Sequence, residues 1–301
     1  MSMHASPDPA AAFPGFARLQ AEAGGVAFDG VIGGSGPPLL LLHGFPQTHL
    51  AWRLVAPRLA QAFTVIAPDL PGYGGSRTHR AQPRWSKRRV GDALVALMAQ
   101  LGHPRFAVAG HDRGARAGYR LALDHPQRVT HYASLTVVPT ADAWDAMDMR
   151  HGLANYHWFL LAQPFDLPER LLSADPDAFI EAALARMAGG LERIDAAALA
   201  AYRTAFRDPA VRHAICEDYR AAVQEDLEHD AADRAAGTTL HCPVLVLWPQ
   251  AQAQAGAISP LDLWRRWAGD VRGKAISGGH LQPEQSPEEV VAELLAFLAM
   301  R

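Results

Sequence analysis

Five short apolar runs, each closed by a polar, glycine or proline turn, constrain this chain more than any other feature. They are "PPLLLLHGF" at 37–45, "FTVIAPDL" at 63–70, "RFAVAGHD" at 105–112, "YASLTVVPT" at 132–140 and "CPVLVLWPQ" at 242–250. Successive rather than alternate positions are apolar, so both faces of each strand must be covered, as in the parallel sheet of an α/β protein. The intervening stretches fit that role. "WSKRRVGDALVALMAQLG" and "GARAGYRLALDHP" repeat apolar residues at intervals of three and four, and "SPEEVVAELLAFLAMR" opens with Ser-Pro and two acids, as helices do. Strands alternating with helices predict a mostly parallel sheet with its chemistry at the strand C-termini. From 140 to 240 the pattern is helical throughout, broken at "SADPDAF" and "MAGGLERI". The predicted organisation is a core over 1–139 and 241–301 with a helical cap inserted over 140–240.

Composition narrows the function. Hydrophobic residues are 49% and charged residues 20% of 301, with a net charge of −3, so the polyanion footprint of a nucleic-acid-binding protein is missing. No apolar run approaches the length of a membrane span, and "MSMHASPDPAAAFPGF" has neither a basic nor an apolar leader segment, which predicts a cytoplasmic protein. Two cysteines, Cys216 and Cys242, read as reduced thiols. The fourteen histidines form no ligand-spaced pair on one helix with a carboxylate, so neither a metal nor another cofactor is expected.

The chemistry gathers at strand ends. "AGHDRGARAGYR" (109–120) has the outline of a strand-to-helix turn that exposes a nucleophile between two glycines, here Asp112 between Gly110 and Gly114. Taken alone, Asp and Gly at a strand end make an ordinary Asx-turn. With "LLHGFPQ" before it, the "DLPGYGGS" turn (69–76), and a late histidine in "ISGGHLQPE", the order is similar to that of the α/β-hydrolases. A carboxylate in place of serine attacks carbon, forming an alkyl ester that water must cleave. That suits haloalkanes, epoxides and halo-acids. The carboxylate is ionised without help, which reserves His280 for activating water. Arg113 and Arg116 beside it suit a substrate with its own carboxylate, which guanidinium binds as a two-pronged fork.

Over nearly its whole length the chain resembles the fluoroacetate dehalogenases, a branch of the α/β-hydrolases, most specifically in "HGFPQTHLAW", "AGHDRGARAGYRLALDHP", "YHWFLLAQP", "CEDYRA", "SPLDLWRRWA" and "SGGHLQPE". The resemblance implies Asp112 as nucleophile, His280 as base, Arg113 and Arg116 as carboxylate clamp, and His157, Trp158 and Tyr219 as the halide pocket. It also implies that the backbone N–H groups of Phe45 and Arg113 stabilise charge on the ester oxygen. Imidazole, indole and phenol each supply a donor for a departing halide. Without the family, "YHWFL" reads as a buried aromatic stripe on a cap helix. The implied partners are a small halo-acid and halide, and a second copy of the chain in a homodimer.

One departure stands out. The acid that orients the histidine in this family falls at Thr136, and the alternative loop "LWPQAQAQAGAISP" contains no acid. Asp142, Asp145 and Asp148 are the nearest substitutes, and Asp262 comes later at a helix start. The expected reaction is hydrolysis of fluoroacetate or chloroacetate to glycolate, slow in its second step. An epoxide hydrolase or haloalkane dehalogenase would share the aspartyl ester, but Arg113 argues against both. A non-catalytic small-acid binding protein would explain Thr136, but Asp112 and His280 argue against it.

Overall fold

The computed structural model describes residues 12–80, 84–250 and 259–300. Glycines at 24 and 25, both at positive φ, turn β1 (Phe16–Ala23) back along β2 (Val26–Gly33) as an antiparallel hairpin. Then follow β3 (Pro38–Leu42), a 3₁₀ turn (His49–Trp52), α1 (Ala56–Leu59), β4 (Thr64–Pro68), β5 (Arg77–Thr78), α2 (Lys87–Gln100), β6 (Phe106–His111), α3 (Arg113–Asp124) and β7 (Val129–Leu135). Helices alone follow up to residue 236: α4 (Thr140–Asp145), α5 (Met149–Ala154), α6 (Tyr156–Leu161), α7 (Leu167–Ala174), α8 (Pro176–Ala188), α9 (Ala196–Phe206), α10 (Pro209–Ala222) and α11 (Glu225–Ala236). The chain returns to the sheet with β8 (Val244–Pro249), α12 (Pro260–Trp264), β9 (Val271–Ile276), α13 (Gln282–Gln285) and α14 (Pro287–Leu298).

The sheet order is β1-β2-β4-β3-β6-β7-β8-β9, with β5 paired to β2. From β4 to β9 every pairing is parallel, while β2 meets β4 antiparallel. The continuous apolar runs sort by parity. Leu40, Leu42, Val108, Val244 and Val246 pack into one buried cluster. Leu39, Leu41, Ala107, Ala109, Leu245 and Leu247 pack into the other, on the opposite face. Burial on both faces is what removes the polar alternation from these strands.

Two expectations need correction. The run at 132–140 is not strand to its end: β7 stops at Leu135, Thr136 takes a φ of 72°, and Thr140 already opens α4. Val137 is apolar because it is buried, not because it is extended in the sheet. Four strands went unpredicted, among them β5, which is only two residues long. β1 and β9 lie at the sheet edges and mix exposed with buried positions, so they lack the continuous apolar signal, and β2 carries two glycines. Residues 251–258 of the acid-free loop lie outside the described residues. Both cysteines are buried and free.

Candidate active site

Asp112 lies between the last residue of β6 and the first of α3, at φ 49°, a backbone conformation that costs a non-glycine residue on the order of 1–3 kcal/mol. The surroundings enforce it. A Cβ at Gly114 would stand 2.3 Å from the Leu42 carbonyl oxygen, and one at Gly44 2.4 Å from the Asp112 Cβ, so the turn can pack only where these positions carry no side chain. The carboxylate thus sits at the positive end of α3. The Phe45 N–H donates to its Oδ1 at 2.8 Å, and His280 Nε2 stands 3.4 Å from its Oδ2. Burial alone would raise its pKa, but contact with His280 and the charges of His280, His111 and Arg113 outweigh burial and hold it well below the usual carboxylate range. It is an ionised carboxylate at any working pH.

His280 follows β9 and is fixed by its main chain. Its N–H donates to the Met187 carbonyl at the end of α8 (3.1 Å), and its own carbonyl accepts from His111 Nε2 (2.7 Å). Among the described residues Asp112 is the only acid within 4.0 Å of its ring nitrogens. The substitute acids suggested by sequence are committed elsewhere. Asp142 accepts from Trp267 Nε1 at 2.7 Å and pairs with Arg234 and Arg266; Asp145 pairs with Arg234; Asp148 caps α5; Asp262 pairs with Arg265. Thr136 occupies the end of β7 beside the His111–Asp112 segment, with its N–H on the Leu247 carbonyl and its buried hydroxyl unpartnered.

The two arginines are both buried but differently partnered. Arg113 donates from Nε to Asp218 Oδ2 (2.7 Å) and from Nη2 to the Asp218 carbonyl (2.9 Å), under the Tyr219 ring at 4.4 Å. Arg116 donates to Thr140 Oγ1 (3.0 Å) and the Val138 carbonyl (3.3 Å), with Trp158 at 5.1 Å, and among the described residues no carboxylate comes within 4.0 Å of it. Its charge is uncompensated by any direct partner. Arg113, Arg116, Trp158 and Tyr219 line one small cavity of about 10 Å³. Phe45, His157 and Tyr219 form an aromatic wall next to it, His157 stacked on Phe45 at 5.4 Å and edge-on to Tyr219 at 5.9 Å. Burial pushes the His157 pKa down to about 4, so its imidazole is neutral and offers one N–H.

Other parts of the site were not visible in the sequence. Asp218 also accepts from the Tyr73 hydroxyl at 2.8 Å and is ion-paired with Lys87. A crevice of about 180 Å³ lies on the far side of this group, lined by Tyr73, Lys87 and Asp218 together with Trp85 and His213. The fold also brings Glu169 against His213 and Glu217, a grouping no helix spacing announced, and the Arg220 guanidinium already pairs with both glutamates.

A family model described as alpha/beta hydrolase fold matches residues 37–274, so the fold is that of an α/β-hydrolase. A fluoroacetate dehalogenase from a Burkholderia species is 39% identical over 291 residues, covering 95% of each chain. A soluble epoxide hydrolase from Corynebacterium sp. (strain C12) is 31% identical over 284 residues, covering 93% of this chain and 96% of that protein. Among solved structures, a candidate epoxide hydrolase from Pseudomonas aeruginosa, a threonine-to-aspartate mutant with bound MFA, superposes with a TM-score of 0.92. It is 54% identical and covers 95% of this chain and 96% of that one. The chain belongs to the fluoroacetate dehalogenase family of the α/β-hydrolase superfamily.

Proposed function

We propose that this hydrolase dehalogenates small 2-halo acids, fluoroacetate or chloroacetate, to glycolate. The observation that carries the reading is Arg116, a buried guanidinium without a carboxylate partner among the described residues, on the helix that Asp112 heads. Such a charge is costly to bury unless an anion completes it. A haloacetate carboxylate on Arg116 and the free N–H groups of Arg113 would point its halogenated carbon at Asp112. An Asp112 carboxylate oxygen then forms a bond to that carbon as the carbon–halogen bond breaks, and the electron pair leaves with the halide. His157, Trp158 and Tyr219 meet the halide with N–H and O–H donors. Water next adds to the Asp112 ester carbonyl, giving its proton to His280, while the Phe45 N–H receives the developing oxyanion. The oxyanion then collapses by breaking the bond to the glycolate oxygen, which takes the proton back from His280, and the Asp112 carboxyl loses its remaining proton to solvent as glycolate departs. With Thr136 in the acid position, the imidazolium lacks a stabilising carboxylate, so this second step is the slow one.

An epoxide would leave Arg116 unanswered, which is why the halo-acid is preferred over the substrate class of the epoxide hydrolase relatives. The test is halide release from fluoroacetate and chloroacetate beside an uncharged chloroalkane and an epoxide, with Asp112→Asn as control. Halide should come from the two acids and only with Asp112 present. Single-turnover release by the Asn variant at the parent rate would overturn the aspartyl-ester mechanism.

A further inference from the structure

Asp218 poses an electrostatic problem for the clamp. It lies 2.7 Å from Arg113 in a buried setting, and such a pair presents almost no net charge to an incoming anion. Lys87, the first residue of α2, reaches the other carboxylate oxygen of the same Asp218 and is itself only 3% exposed. The group of Arg113, Asp218 and Lys87 therefore keeps one net positive charge.

We propose that Lys87 is a specificity-determining residue for anionic substrates, acting through Asp218: Asp218 orients the Arg113 fork, and Lys87 cancels Asp218 so that Arg113 still attracts a carboxylate. The proposal rests on the reading of Arg113 as part of the substrate clamp. Three features of the site support the division of labour. Asp218 receives Arg113 through both its side chain and its carbonyl, which fixes the plane of the guanidinium and leaves Nη1 for a ligand. Tyr73 donates to Asp218 Oδ2, so the carboxylate cannot turn away. The other acid facing Lys87, Asp226, accepts its backbone N–H at 2.7 Å while the ammonium goes to Asp218.

The experiment compares kcat/KM for chloroacetate and its uncharged isostere chloroacetamide in the parent, Lys87→Met, Lys87→Arg and the double variant Lys87→Met/Asp218→Asn, each verified as folded by circular dichroism. Lys87→Met should lower the chloroacetate-to-chloroacetamide ratio about tenfold or more, chiefly through KM for chloroacetate, because a full charge is removed from a dry site. Lys87→Arg should keep the ratio. The decisive variant is the double one. Removing Asp218 as well leaves Arg113 uncancelled, so the ratio should recover towards the parent value even though orientation is poorer and turnover of both substrates falls. Equal losses on the two substrates in Lys87→Met, or no recovery in the double variant, would reduce Lys87 to a structural counter-ion and overturn the proposal. A parent enzyme with no preference for chloroacetate would overturn the clamp reading itself, a result visible before any variant is measured.

Discussion

Arg113 and Arg116 are three positions apart on one helix, yet among the described residues only Arg113 has a carboxylate within ion-pair reach. Arg116→Leu should therefore raise KM for a haloacetate while sparing an uncharged substrate, by roughly 2–3 kcal/mol for a lost charge-assisted bond in a dry pocket. Matched kinetics on chloroacetate and an epoxide or chloroalkane would check this, and equal losses would mean that Arg116 only holds Thr140. Thr136 carries a second expectation. A β-branched residue at φ 72° is strained, and aspartate tolerates that backbone better, so Thr136→Asp supplies a carboxylate without an added backbone cost. Acid-quenched intact-protein mass spectrometry should show a carboxymethyl adduct on the parent during chloroacetate turnover, and a shorter-lived one on Thr136→Asp. Steady turnover of the parent with no adduct would mean that His280 is adequately held as it stands. Asp112, Arg113 and Arg116 were legible because one turn of chain carries them, and His280 because glycines mark its loop. Asp218 was quoted within "CEDYRA" but its role was not legible, since its partners Arg113, Tyr73 and Lys87 lie 105, 145 and 131 positions away.

The strand-to-helix elbow depends on close approach of main chain to main chain. In Gly114→Ala the new methyl would meet the Leu42 and His43 carbonyl oxygens at 2.3 and 2.4 Å, and neither belongs to a side chain that can swing aside. The first turn of α3 must withdraw and take Asp112 with it. The expected outcome is loss of about 1–3 kcal/mol in a urea unfolding curve, with halide release falling far more than stability. A fully active variant would show the elbow to be less tight than these distances require. The G-x-D-x-G signal was readable because such contacts exclude side chains. The end of β7 was misread for a related reason: Val137 and Val138 follow the strand without a turn residue, and an apolar pattern cannot distinguish a buried loop from a strand.

Folding of the molecule as a whole should be acid-sensitive. Burial lowers the pKa of His111 and of His157 to about 4, below the ordinary value near 6.5. The native state then binds fewer protons than the unfolded chain between these limits, so the stability these groups contribute is complete above pH 6.5 and is lost as pH falls towards 4. Asp230 works in the opposite sense: burial raises its pKa to about 6, and its contribution is lost as pH rises through that value. His111 and His157 outweigh Asp230, and burial lowers His43 in their sense while the Asp69 carboxylate outweighs burial at His49 and acts in the opposite one, so the expected direction is a loss of stability on acidification. Melting temperatures at pH 7.5, 5.5 and 4.5 should fall in that order, and a flat series would contradict the burial of the two imidazoles. The depressed pKa values were not visible in the sequence, because they come from burial that only the folded chain shows. One further consequence follows from the end of α8. Its last carbonyls, Met187 and Ala188, have no helical partners and receive the His280 N–H and the Gln285 side-chain amide at 3.1 and 2.8 Å. The end of α8 and the loop that carries His280 are thus latched together. A displacement of α8 would therefore pull on the main chain that positions the His280 ring, so this helix cannot shift at its C-terminal end without disturbing that histidine.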